Sequence, residues 1–391
     1  METDMDRAYE SSHPWLRFSL DLRPAAPRLW MLLGEAASKC EHIAAVPLEP
    51  ATAERLHLLY LAKGVLATTA IEGNTLTEQE VLAHLEGKLH LPKSKEYLGQ
   101  EIDNIVRACN DLPKAAAEGA AALTADRVCL FNRQVLEGLK VEGGVVPGEI
   151  RRHSVTVGRY RGAPAEDCRY LLDRLCAWLE SRDFAPQPGL ELVYAILKAI
   201  VGHVYLAWIH PFGDGNGRTA RLMEFQVLMV AGVPTPAAHL LSNHYNQTRA
   251  EYYRQLDSAS RSGGDLLPFI EYAVQGFVDG LRAQIEVVRE QQWEVAWRDF
   301  VYRSFGANPP APQARQCQLV LALGGEDGFV AVEKLKTLSV ALAATYARRS
   351  SKALQRDVAE VVRRGLVERT EAGVRARKEL ILAFLPWRQR A

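Results

Sequence analysis

The 391-residue chain has no surplus charge of either sign: 47 Lys and Arg face 47 Asp and Glu. No global field therefore draws it to nucleic acid or to a charged membrane. Cysteine is sparse. Cys40, Cys109, Cys129, Cys168, Cys176 and Cys317 show neither CxxC nor metal-ligand spacing. That pattern argues against a zinc ribbon or a disulfide framework and reads as thiols of a reducing cytoplasm. No uninterrupted apolar run reaches the length of a membrane span. The N-terminus carries Glu2, Asp4 and Asp6 where a secretory signal would need apolar residues. The expectation is a cytoplasmic chain without membrane contact. Internal repeats and low-complexity tracts are missing too, so the length points to two or three domains with ordinary cores.

What is there is concentrated in His210-Pro211-Phe212-Gly213-Asp214-Gly215-Asn216-Gly217-Arg218-Thr219-Ala220-Arg221. Glycines at 213, 215 and 217 let the backbone curl with its N–H groups pointing inward. The stretch from Thr219 to Met229 reads as a helix, and a glycine turn feeding a helix N-terminus cradles anions. Arg218 and Arg221 add charge-assisted hydrogen bonds for phosphate oxygens. His210 has the reference pKa of a base for a hydroxyl proton near neutrality, ~6.5. Asp214 offers a hard oxygen for Mg²⁺ beside phosphates. No Gly-Lys-Ser/Thr follows the turn, and the preceding segment, Leu190 to Ile209, is helical in pattern. Both the P-loop and the dinucleotide fingerprint fail on that context.

Helical periodicity dominates the rest. Before Pro50 one short helix is expected, Leu29 to Ala37. After it come a helix ending near Glu72-Gly73-Asn74, a capping box at Thr77 to Glu80, and helices over 96–109, 124–139, 167–179, 190–209, 243–260 and 266–305. Val141 to Ala165 is rich in Gly and Pro, with strand-like alternation at Val155-Thr156-Val157, and reads as a β-hairpin flap. Asn308-Pro309-Pro310-Ala311-Pro312 marks a linker. Beyond it, a helix from Phe329, a second helix from Ser350 to Arg363 stopped by Gly365, and two strands between Leu366 and Phe384 resemble a winged helix-turn-helix. Basic residues outnumber acidic ones from Arg348 onward, which suits DNA or, equally, a protein contact.

The segment 210–221 resembles the signature of the Fic family, HxFx(D/E)GNGRxxR, at every specified position. The resemblance implies a mainly α fold: a Fic-type helical bundle with the hairpin flap, joined here to the winged helix-turn-helix. It divides the chain into an N-terminal helical region (1–120), a Fic catalytic domain (121–285), the end of a long helix with a Pro-rich linker (286–312) and the winged helix (313–391). It implies transfer of AMP from ATP, with Mg²⁺ or Mn²⁺, to a protein hydroxyl. His210 would be the base and Asp214 the metal ligand. Gly215, Asn216 and Gly217 would meet the α- and β-phosphates, Arg218 the leaving pyrophosphate and Arg221 the γ-phosphate. Val157, Gly158, Arg159 and Tyr160 of the flap would border the nucleotide, and the flap would hold a target by strand addition. Arg249 to Leu256 resembles the family's YYxxL segment, so Tyr252 would touch the base and Ser260 would stand near it.

Thr68-Thr69-Ala70-Ile71-Glu72-Gly73 fits the family's inhibitory pattern, (S/T)xxxE(G/N). It implies that a helix over about 52–73 carries Glu72 into the site to occupy Arg221, with Thr68 and Gly73 framing it. The expected partners are ATP, a protein substrate that includes the chain itself, DNA through the last domain, and a second copy in a homodimer. Two alternatives stand beside this reading. One is a nucleotide-sensing, DNA-binding regulator. The other is a related Fic enzyme that uses another nucleotide or also removes AMP.

Overall fold

The computed structural model describes residues 7–117 and 122–382. They form two compact units, one ending at Ile285 and one beginning at Glu286. The first is almost wholly helical, and its centre is the helix Glu191–Ile209. Val193, Ile196, Ile200, Val204 and Leu206 bury one side, and His203, Tyr205 and Trp208 are buried as well. A helix apolar on all sides belongs in a core. By length and composition it is also apolar enough to cross a membrane, yet 78% of that window is buried inside the fold. It turns at residues 210–215 into Asn216–Val230, which packs back along it.

Around this pair stand the helices that deliver the site. Cys168–Leu179 and Pro27–Ala45 cover Glu191–Ile209. Ala125–Leu136, Glu96–Ala117 and Pro50–Ala70 surround Asn216–Val230. The capping box at Thr77 forms as read: the Thr77 hydroxyl accepts from Glu80 N and the Glu80 carboxylate from Thr77 N. The flap is a two-stranded antiparallel hairpin, Thr156–Val157 paired with Tyr160–Arg161.

Several boundaries differ from the sequence reading. The expected helix at 29–37 runs from Pro27 to Ala45, with proline in its first turn. Glu96 starts a helix that passes Pro113 and ends at Ala117. The single helix expected over 243–260 is two, Leu240–Gln247 and Arg249–Arg261. At the break the Thr248 hydroxyl donates to His244 O at 2.7 Å, a local bond that competes with the helix ladder. The signature helix begins at Asn216 rather than Thr219, because Gly215 adopts φ 76° and serves as its N-cap.

In the second unit the end of the long helix Leu267–Phe305 contributes Trp297, Val301 and Phe305 to a core with Ala311–Gly324. The expected linker is thus helical from Ala311. No helix starts at Phe329. Val330 instead bridges Val374, and a 3₁₀ turn, Val332–Thr337, follows. Helices Val340–Tyr346 and Ser351–Arg363 lead to a hairpin, Val367–Thr370 with Gly373–Ala376. The second expected strand is a 3₁₀ turn at Lys378–Ile381; Ala383 and Phe384 lie outside the described residues.

Candidate functional site

His210 ends the core helix in the left-handed region, φ 50° and ψ 59°. That conformation costs a non-glycine residue roughly 1–2 kcal/mol, so it persists only where neighbours impose it. They do. Arg151 Nε donates to His210 O at 2.7 Å, Arg151 N to Pro211 O at 3.0 Å and Ala163 N to Ile209 O at 3.2 Å. Phe212, buried to 1% exposure, pins the turn. Asn216 closes it, with its side-chain amide donating to Phe212 O and accepting from Phe212 N. Asn132 reaches in from its own helix to donate to Asp214 O at 2.9 Å.

The His210 ring is oriented as a base requires. Nδ1 lies 3.3 Å from Ala207 O. A carbonyl only accepts, so Nδ1 carries the proton and Nε2 keeps a lone pair. Burial disfavours the imidazolium and moves the pKa down to about 4, against the smaller upward pull of the Ala207 bond and of Glu72 and Asp214. The ring is therefore neutral at physiological pH.

Beside it opens a cavity of about 530 Å³. His210, Asn216, Gly217 and Arg221 line one side, Val157, Gly158, Arg159 and Tyr160 of the flap another, and Tyr252, Tyr253 and Leu256 a third. The first free N–H groups of Asn216–Val230 belong to this end, since Thr219 N already bonds Gly215 O. Gly217 is needed for a close approach: a Cβ there would stand 2.1 Å from Glu72 Oε1.

Glu72 is the anion now on that helix end. The Pro50–Ala70 helix tightens past its last residue, Glu72 N bonding Thr69 O, so Glu72 sits just beyond the helix rather than within it. Arg221 Nη2 donates to Glu72 Oε1 at 2.5 Å and to Thr68 O at 3.0 Å. Burial pushes the Glu72 carboxyl up. The charge and hydrogen bond of Arg221, with help from Arg218, outweigh that and hold it below the usual carboxylate range. Thr68 thus contributes its carbonyl, and Gly73, φ 106°, lets the chain leave.

Arg218 is engaged as well. Its Nη1 donates to Glu101 Oε1 at 2.9 Å and its Nη2 to Asp214 Oδ1 at 3.3 Å. Asp214 also accepts from Gly215 N at 2.5 Å, while its side chain stays 47% exposed. Arg221 Nε and Nη1 and Arg218 Nε are buried without a partner. Orphaned cationic donors at a helix N-terminus make a built place for an anion with several oxygens.

Not every expected residue reaches the cavity. Ser260 does not: its hydroxyl donates to Asp257 O within its own helix, and it faces a neighbouring groove. Asp214, Gly215 and Arg218 do not line the cavity itself. Tyr252 presents its ring, but its hydroxyl turns into the core, 2.9 Å from His203 Nε2. His203 belongs to a buried polar cluster with Glu224 and Tyr245. Glu101, Arg151 and Asn132 escaped the sequence reading, because nothing local marks a residue that acts 59 to 117 positions away.

The first unit is a helical domain with a histidine beside the open N-terminus of a core helix, and its fold is similar to that of Fic structures. Residues 122–228 match the Fic/DOC family. It is 30% identical over 218 residues to a protein adenylyltransferase Fic of Nematostella vectensis, covering 53% of this chain and 45% of that protein. The Fic-1 structure from C. elegans, residues 134–508, superposes with a TM-score of 0.54 at 25% identity, over 67% of this chain and 73% of that one. A Fic family protein from Desulfovibrio desulfuricans G20 shares the fold over 90% of this chain and 94% of its own, TM-score 0.54 and 20% identity. The chain spans less than half the length of the curated relative.

Proposed function

We propose that this chain is a protein adenylyltransferase that moves AMP from ATP to a Ser, Thr or Tyr hydroxyl of a protein, itself included, and that Glu72 restrains it. The observation that carries the reading is the shared cavity of a neutral His210 and the unsatisfied donors of Arg221 beside the open end of Asn216–Val230. The hydroxyl oxygen attacks the α-phosphorus, the bond from that phosphorus to the bridging oxygen breaks, and pyrophosphate leaves. His210 Nε2 takes the hydroxyl proton. Such transfers depend mainly on positioning and charge stabilisation, which helix-end N–H groups and two arginines supply. Incubation with ATP and Mg²⁺ followed by intact-protein mass spectrometry tests it: an AMP adduct on the chain or on an added protein is expected, and its absence even from Glu72→Gly removes the reading.

A metal fits this site in one way. The described residues hold no cluster of three or more His, Cys, Asp or Glu side chains, but one half-exposed carboxylate plus substrate phosphates is the usual holding pattern for Mg²⁺. Asp214 would hold Mg²⁺ or Mn²⁺, which when bound neutralises phosphate charge. Asp214→Ala is expected to shift the Mg²⁺ dependence of AMP incorporation to higher concentration and to lower the maximal rate. An unchanged titration curve would reduce Asp214 to its hydrogen bonds with Gly215 and Arg218.

The second unit supports a winged helix-turn-helix: two short helices in succession, a third strand position at Val330, and a hairpin after the last helix.

A further inference from the structure

Adenylyl transfer makes no use of the exposed face of the Ser351–Arg363 helix, and we infer that this face binds double-stranded DNA, the helix entering the major groove. The inference rests on the winged-helix reading of the second unit and not on the activity proposed for the first.

The two faces of that helix are sharply divided. Leu354, Val358 and Val361 are buried in the unit's core. Asp357 is buried among them and fully engaged: Arg315 meets both its oxygens at 2.5 and 2.9 Å, Gln316 Nε2 donates at 3.1 Å and the Tyr346 hydroxyl at 2.8 Å. Tyr346 closes the preceding helix, Val340–Tyr346. One buried carboxylate thus ties this helix to the one before it and to Ala311–Gly324, so its outward face is held at a set angle. Between the two short helices lie four residues, 347–350, the span of a helix-turn-helix connection.

The outward face carries what a base-pair stack requires. Lys352, Gln355 and Arg356 are exposed at i, i+3 and i+4, one side of the helix. Arg348, Arg349, Ser350 and Ser351, also exposed, lead into it. Residues 348–356 hold four cations and no acid, and among the described residues none of the four makes an ion pair. At the far end of the helix the pattern reverses, where Glu360 neutralises Arg363 and Arg364. Ser350 occupies the N-cap position but its side chain caps nothing, which leaves the first N–H groups and the hydroxyl to phosphate oxygens. Gln pairs with adenine and Arg with guanine in the major groove, and the first turns of a recognition helix supply such contacts. On the following hairpin Arg369 is exposed beside the turn at Glu371 and Ala372, where a wing meets the backbone. Because the whole chain is neutral, any strong salt dependence reports this local face.

The test uses the full chain and a fluorescein-labelled 30-base-pair duplex of mixed sequence, read by anisotropy from 50 to 200 mM salt. If all four cations contact phosphate, log K should fall with log salt at a slope of about −3.6, a loss of roughly a hundredfold across that range. Lys352→Glu/Arg356→Glu should weaken binding at least tenfold at 50 mM salt and flatten the slope by about two. Lys88→Glu/Lys140→Glu, which makes the same charge change on exposed residues of the first unit, should bind like wild type. A circular-dichroism melt checks that the first double variant stays folded; if it does not, Arg348→Ala/Arg349→Ala before the helix serves in its place. No binding at 50 mM salt, or equal loss in the face and control variants, overturns the proposal and leaves the face to a protein partner.

Discussion

Glu72→Gly is expected to raise AMP incorporation from labelled ATP about a hundredfold over wild type. Its carboxylate stands on the helix end at Gly217 and holds Arg221 at 2.5 Å, so a γ-phosphate approaching the remaining donors of Arg221 would meet a like charge already in place. A restraint that keeps ~99% of molecules in the inhibited arrangement corresponds to a bias of about 2.7 kcal/mol, and its removal to a rate gain of about two orders of magnitude. Removing Glu72 strands no partner in a dry interior, because the incoming phosphate replaces it on Arg221 Nη2. The prediction carries its own control. In Glu72→Gly/Arg221→Ala the gain should vanish, since both residues act through one contact. Equal labelling by wild type and Glu72→Gly would show that the pair is a structural ion pair of the folded domain and not a brake.

His210→Ala, made in the Glu72→Gly background, should cut incorporation by roughly a hundredfold to ten-thousandfold, the usual cost of losing a positioned acid–base group. Binding of a fluorescent ATP analogue should hardly change, because the ring faces the hydroxyl and not the triphosphate donors. The pH profile adds a second check. Burial lowers the His210 pKa to about 4, so the neutral, proton-accepting form persists well below the pH at which a solvated imidazole would charge. Removing Glu72, whose charge favours the imidazolium, moves the pKa further down. The kcat/KM of Glu72→Gly should therefore stay level as pH falls from neutrality to about 5, with any loss attributable to His210 coming below that. A midpoint near 6.5 would mean that the ring is solvated in the working enzyme, and near-normal turnover of His210→Ala would end its assignment as base.

The helical elements were legible where one uninterrupted helix carries enough apolar residues to be buried in the core. Glu191–Ile209 and Cys168–Leu179 begin and end within a residue of the expected positions, and the hairpin lies where Gly158 breaks an alternating stretch. Misread segments share a cause: local competition that periodicity does not register. The Thr248 hydroxyl bonds to His244 O and splits a helix. Val330 pairs with Val374, 44 residues on, in an isolated β-bridge, and no helix starts there. At the site, contiguous residues were legible because their chemistry and spacing sit in one stretch. Glu101, Arg151 and Asn132 were not, because each is ordinary in its own neighbourhood and acquires its role only where three helices and a loop converge.

The sequence by itself determined the chemistry this protein can offer: a histidine, a carboxylate, turn-forming glycines and two arginines in twelve residues, with Glu72 spaced one turn from Thr68. Those choices are local, since spacing along a chain sets which groups share a turn or a helix face. Tertiary structure alone decided the states of those groups. It buried His210 and so lowered its pKa, brought Glu72 across 149 residues to Arg221, gave Arg218 to Glu101, and turned Ser260 away from the cavity. A pKa and an ion pair depend on distance and desolvation in the folded molecule, and neither quantity exists until separate helices have packed.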